Sequence, residues 1–126
     1  MKRMMLFSLL AVVCFLAAGC GSTKVQDPRV IIDSSVSRYI DVNNVRCIKG
    51  ETGYPVFQAD VTNLYHKELA IEWKVQWLDI NGIEIESAVS TWQKNAIATH
   101  DIKGLRNVAS SKEAVTMRLY IRKLTK

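Results

Sequence analysis

Beyond Pro28 the chain alternates between apolar and polar side chains with a period of two, the pattern of strands that bury one face. The clearest run is Leu69 to Trp77: Leu69, Ile71, Trp73, Val75 and Trp77 share one side, Ala70, Glu72, Lys74 and Gln76 the other. Val56 to Leu64 repeats the pattern, with Phe57, Ala59 and Val61 opposed to Gln58, Asp60 and Thr62. Near the C-terminus Val115, Met117, Leu119 and Ile121 alternate with Thr116, Arg118, Tyr120 and Arg122. These three stretches are expected to be half-buried strands. Less regular strands are expected over Arg29 to Asp33, Asn43 to Lys49, Ile83 to Glu86 and Asn95 to Ile102.

Turn chemistry separates these runs: Lys49 to Gly53, Asn63 to Glu68, Asn81-Gly82 and Asn107 to Lys112. At Asn81-Gly82 the side-chain parity selects the loop. A two-residue loop would put Ile83 and Ile85 on the face opposite Trp73 and Trp77. A three-residue loop, Ile80-Asn81-Gly82, pairs Asp79 with Ile83, brings Ile85 opposite Trp77, and calls for positive φ at Gly82. The second keeps both apolar sets on one core. Asp79 is then placed to accept backbone hydrogen bonds at the turn. No segment sustains a helical period, though Ala109 to Ala114 has room for one turn. About seven short strands with clean alternation predict an all-β fold, an immunoglobulin-like antiparallel β-sandwich.

The N-terminus reads differently. Lys2-Arg3 precedes an apolar run from Met4 to Ala18, which ends in Gly19-Cys20. This is the layout of a cleaved signal peptide. At about 15 residues the run falls short of the roughly 20 that span a bilayer. Leu16-Ala17-Ala18-Gly19-Cys20 resembles the bacterial lipobox, which implies diacylglyceryl attachment to the Cys20 thiol and cleavage between Gly19 and Cys20. Buried methylenes contribute about 0.8 kcal/mol each, so two or three acyl chains hold a small domain on a membrane. Residues 20–28 are small and polar and suit a flexible tether, leaving 29–126 as the single folded domain. Gly21 stands where the resemblance would put an inner-membrane retention Asp. The expected address is therefore the periplasmic side of the outer membrane, with the outer leaflet of the inner membrane as the alternative.

Charge and cysteine content narrow the reading. The chain has 17 Lys and Arg against 12 Asp and Glu; removing Lys2 and Arg3 with the leader leaves 15 against 12, a balance of +3. The cations are scattered, so no nucleic-acid groove is expected. Only Arg118, Arg122, Lys123 and Lys126 gather towards one end of the sequence. Of the three cysteines, Cys14 leaves with the leader and Cys20 carries lipid. Cys47 is then a lone thiol sharing a strand side with Val45, expected in the core, and the domain must be held by apolar packing without an internal disulfide.

Catalytic signatures are missing. His66 and His100 lie far apart with no Cys or second His beside either, so no metal centre is expected. The serines lack a nucleophile elbow and no glycine-rich phosphate loop occurs. No cofactor is expected. Trp73 and Trp77 fall in the buried parity class, whereas Trp92 lies outside the regular runs and is a candidate partner anchor. Tyr54 and Tyr65, with Tyr39, sit near turns and are further candidates, as are Arg118 and Arg122.

Val61-Thr62-Asn63, the stretch Ile71 to Asp79 with Trp73, Trp77 and Asp79, Gly82, and the final Arg118-Leu119-Tyr120-Ile121 together resemble the YcfL-like family of proposed periplasmic lipoproteins. Leu78 stands where that family often has an aromatic residue. The resemblance implies the fold and the envelope address and brings no catalytic residues. The expected function is that of a non-enzymatic, membrane-tethered module that binds another envelope protein. Binding of cell-wall glycan or another envelope ligand is the alternative, and a weak hydrolase or metal enzyme is less favoured.

Overall fold

The computed structural model describes residues 26–86 and 90–125. The leader, Gly19 and Cys20 lie outside them. Among the described residues seven strands form in order: β1 (Val30–Ile32), β2 (Ile40–Lys49), β3 (Pro55–Asn63), β4 (Leu69–Leu78), β5 (Gln93–Ile97), β6 (Ile102–Val108) and β7 (Thr116–Lys123). They make two sheets, β1-β7-β4-β5 and β2-β3-β6, stacked as a sandwich. Neighbours are antiparallel except β1, which runs parallel to β7. No helix of the described residues is long and apolar enough to cross a membrane.

Between the sheets lie the residues that the alternation singles out: Phe57, Ala59 and Val61 from β3, Ile71, Trp73, Val75 and Trp77 from β4, and Met117, Leu119 and Ile121 from β7. Burying such side chains contributes about 1.5–3 kcal/mol each; among the described residues the one cysteine, Cys47, is a free thiol. The two core indoles keep their polar atoms satisfied. Trp73 Nε1 donates to Asn95 Oδ1 at 2.7 Å and Trp77 Nε1 to Asn107 Oδ1 at 2.9 Å. Val36, in the link between β1 and β2, plugs one end and is fully buried.

The β4 hairpin has the predicted register. Asp79 N–H donates to the Ile83 carbonyl and Ile85 N–H to the Trp77 carbonyl, both at 2.9 Å, and Gly82 has φ 75°. Asp79 Oδ1 accepts from the N–H groups of Asn81 and Ile83. The return arm, however, makes only a single bridge, Leu78 to Glu84, instead of a strand over Ile83 to Glu86.

Three further expectations need correction. The strand expected over Asn95 to Ile102 is two strands in different sheets, broken by a turn in which Asp101 N–H donates to the Ala98 carbonyl and His100 has φ 57°. Strand β6 occupies Ile102–Val108, part of it expected as turn. In β2 the register shifts between Asn43 and Arg46, with Asn44 at φ 53°. This bulge flips side-chain parity, so Val42 before it and Val45 and Cys47 after it all pack towards the core. Cys47 is half-buried there, not fully interior.

Candidate interaction surfaces

Two of the sequence candidates meet on the outer face of the four-stranded sheet. The Trp92 ring lies across that face with the Arg122 guanidinium 3.8 Å from its centroid. Lys74 Nζ sits 5.0 Å from the Trp92 centroid and 5.4 Å from that of Tyr120. The register explains the grouping: Lys74 pairs with Tyr120 and Glu72 with Arg122 across β4 and β7. Arg122 Nε donates to Glu72 Oε2 at 2.7 Å, and Glu72 is buried although it belongs to the polar parity class. Ile31, Asp33, Trp92, Tyr120 and Arg122 border a shallow cavity of about 230 Å³ here. The Trp92 ring is half-buried and partly covered by cations of its own chain.

The other candidates are dispersed. Arg118 is exposed on β7 opposite Gln76, and four residues of strand put it about 13 Å from Arg122, so these two cations do not form one compact patch. Lys126 lies outside the described residues. Tyr65 packs against Tyr39 and His66, with ring centroids 4.6 and 4.2 Å away and the planes tilted by 59° and 60°. Buried Asn63 fixes this end: its Nδ2 donates to the carbonyls of Lys67, Ile97 and Ala98, and its Oδ1 accepts from Tyr65 N–H. Tyr54 lies at the opposite end, in the turn between β2 and β3, with Lys112 Nζ 5.3 Å from its ring centroid.

That opposite end carries a surface which the sequence reading missed. Ile48, Ile80, Ile83, Val108 and Val115 are all between 37% and 82% exposed. Ile48, Pro55, Ala114 and Val115 border one cleft of about 250 Å³, and Ile48, Val56 and Val108 border another of about 410 Å³. Val115 N–H donates to the Leu78 carbonyl, which joins this group to the hairpin carrying Ile80 and Ile83. Val115 was expected in the core with Met117. It continues the inward parity of β7 but overhangs the end of the sandwich, where the facing sheet has stopped. The apolar parity running past a strand's end was the available signal. Contiguous exposed apolar side chains bordered by polar ones, here Lys49, Lys112 and Glu51, mark protein or membrane contact surfaces.

Beside this end, burial pushes the Cys47 thiol above its usual pKa, opposed by the Arg29 guanidinium. Arg29 forms a two-point bond with Asp27, Nε to Oδ1 at 3.0 Å and Nη2 to Oδ2 at 2.7 Å. Those bonds hold the Asp27 carboxyl below the ordinary carboxylate range. Among the described residues no group of three or more His, Cys, Asp or Glu converges as a metal site would require.

Residues 28–123 match the model of a protein family of unknown function, DUF1425. The chain belongs to this family. Among solved structures, cj0090 from Campylobacter jejuni is similar at 23% identity and TM-score 0.68, covering 78% of this chain and 100% of that one. A DUF1425 family member from Shewanella sp. pv-4 is similar at 22% identity and TM-score 0.63, covering 69% of this chain and 80% of that one. At these identities the likeness concerns the fold alone. No curated protein matches this DUF1425 chain.

Proposed function

We propose that this DUF1425 domain is a non-enzymatic module of the bacterial envelope, lipid-anchored through Cys20, that docks a protein partner on the apolar end of its sandwich. The observation that carries the docking reading is the gathering of Ile48, Ile80, Ile83, Val108 and Val115 at one end. Desolvating such side chains is the main favourable term in protein association. The anchor reading is supported by the charged, apolar and Gly19-Cys20 order of the leader and by its resemblance to a lipobox, as in the YcfL-like lipoproteins. The address that follows is the periplasmic face of the outer membrane, with the inner membrane as the alternative.

One experiment separates the two parts. Cells producing the chain are labelled with radioactive fatty acid, fractionated and crosslinked. Cys20→Ser is expected to lose the label and leave the membrane fraction; unchanged labelling refutes the anchor. Ile80→Asp/Ile83→Asp is expected to keep both while losing its crosslinked protein; retention refutes the docking end. A second reading, recognition of cell-wall glycan, is favoured by the Trp92, Tyr120 and Lys74 face, since aromatic planes beside cationic donors suit sugars bearing acidic groups. Sedimentation with purified sacculi, lost in Trp92→Ala, would favour it.

A further inference from the structure

Among the described residues the three-stranded sheet ends at β6, which has no outer neighbour there. Two loop hydrogen bonds fix the direction of its backbone groups. Ala109 N–H donates to the Pro55 carbonyl and Asn63 N–H to the Asp101 carbonyl, each at 2.9 Å. Odd positions of β6 therefore bond to β3, and Ile102, Gly104, Arg106 and Val108 turn theirs outward. Ile102 N–H is taken by the Asp101 carboxylate. Among the described residues, the outward N–H groups of Gly104, Arg106 and Val108 have no acceptor. The far edge of the same sheet is protected: β2 is bulged at Asn44, and Arg29 Nη2 donates to the Val45 carbonyl at 3.4 Å. Strand β6 has neither device; the charge it carries at an inward-parity position, Lys103, is exposed.

We propose that β6 pairs with β6 of a second copy of this chain, antiparallel about a two-fold axis at Leu105, to form one continuous six-stranded sheet. Complementarity selects this register. Even positions must meet even positions, and full overlap of Ile102–Val108 sets Ile102 against the partner's Val108, covering exposed apolar side chains at both ends. It also sets Arg106 against the partner's Gly104. A shift of one pleat either brings Arg106 against the partner's Arg106, a repulsive pair, or sets Gly104 against the partner's Gly104 and leaves Val108 without a facing strand.

The missing side chain at Gly104 gives the register its charge pairing. Gly104 faces Asp60 across β3, and a Cβ placed on Gly104 would lie 3.8 Å from Asp60 Oδ1. That carboxylate oxygen thus overhangs the glycine, while Oδ2 accepts from Asn44 Nδ2 at 2.8 Å. Strand spacings put the Arg106 Cα about 10 Å from that of the partner's Asp60, a span that an arginine and an aspartate side chain bridge together. Within its own copy Arg106 faces Gln58, with Arg46 beyond it in the same row and Asp60 on the diagonal. The two-fold axis makes the Arg106 to Asp60 pair twice. Of the docking end only Val108 is covered by this pairing; Ile48, Ile80, Ile83 and Val115 stay free for the partner protein, so dimerisation and docking fail separately.

Sedimentation equilibrium of the full chain in density-matched detergent tests the proposal, because only protein mass is then read. The expected mass is that of two copies. Arg106→Glu and Asp60→Lys each place like charges across the junction and are expected to weaken the dimer at least tenfold. The double swap Arg106→Glu/Asp60→Lys is expected to restore it. Both positions lie on the outer sheet face, and unchanged circular dichroism verifies the fold of each variant. A single-copy mass for the unsubstituted chain at every concentration overturns the proposal. So do single variants that remain dimeric, or a double swap no tighter than either single change.

Discussion

Replacing Asn63 with Ala should cost more stability than any substitution on the polar faces. Asn63 is fully buried at the junction of three chain segments. Its amide donates to the Lys67, Ile97 and Ala98 carbonyls at 2.9, 2.9 and 3.2 Å and accepts from Tyr65 N–H at 2.8 Å. Alanine removes all four contacts. Each of the four bonds contributes about 1 kcal/mol net, since water can reach the partly buried Lys67 and Ala98 carbonyls and the pairing of Leu69 with Ile97 leaves the Ile97 carbonyl its ladder bond. The sum is about 3–5 kcal/mol, a large share of the roughly 5–15 kcal/mol that holds a typical domain. Urea unfolding followed by fluorescence of Trp73 and Trp77 measures it, and the midpoint should fall by about 2 M. Thr62→Ala, one residue away on the outer face, should stay within about 0.5 kcal/mol. A loss below about 1 kcal/mol for Asn63→Ala would show that the amide is not the clamp the geometry makes it.

Cys47 should react with iodoacetamide at mildly alkaline pH more slowly than a free model thiol, because burial holds it protonated, and denaturation in urea should abolish the difference; equal rates in the native state would contradict its position. The Asp27 to Arg29 pair should contribute stability at neutral pH that disappears in acid. Its native pKa lies below the ordinary value of 3.8, so the contribution is complete above that value and is lost as pH falls through the lowered one. Asp27→Asn should therefore be less stable than the unsubstituted chain at pH 7 and converge with it at low pH; a gap that persists in acid would assign the effect to something other than the charge. Glu72→Gln weakens the bond that holds Arg122 over Trp92, and Trp92 emission should become more sensitive to iodide quenching. Unaltered quenching would show that the guanidinium does not shield the ring.

The strands that can be read from the sequence are those whose inward residues are apolar without exception. Strands β4 and β7 satisfy this, as does β3 up to Val61, before the buried Asn63 that ends it, and the parity argument at Asn81-Gly82 even gives the loop length. Strand β6 inverts the code. Its inward positions are Lys103, Leu105 and Asn107, of which Asn107 is buried because it bonds Trp77, while Ile102 and Val108 face outward. Alternation cannot signal a strand whose interior residue is polar and whose edge is apolar. Strand β2 hides itself differently, since the Asn44 bulge breaks the period in the middle of the element. The candidate surfaces divide along the same line. Trp92 and Arg122 stand out as residue types, but their meeting depends on pairing between β4 and β7 together with the path of the chain into β5. The apolar end depends on where each sheet stops, and that is set by tertiary packing.

A photoreactive amino acid placed in turn at Ile83, Val115 and Arg118, in the chain as it resides in the cell envelope, tests the docking surface most directly. The account predicts one shared protein adduct from Ile83 and Val115 and none from Arg118, whose side chain faces the outer side of the four-stranded sheet about 10 Å along β7 from Val115. Adducts of equal yield from all three positions, or from Arg118 alone, would contradict it.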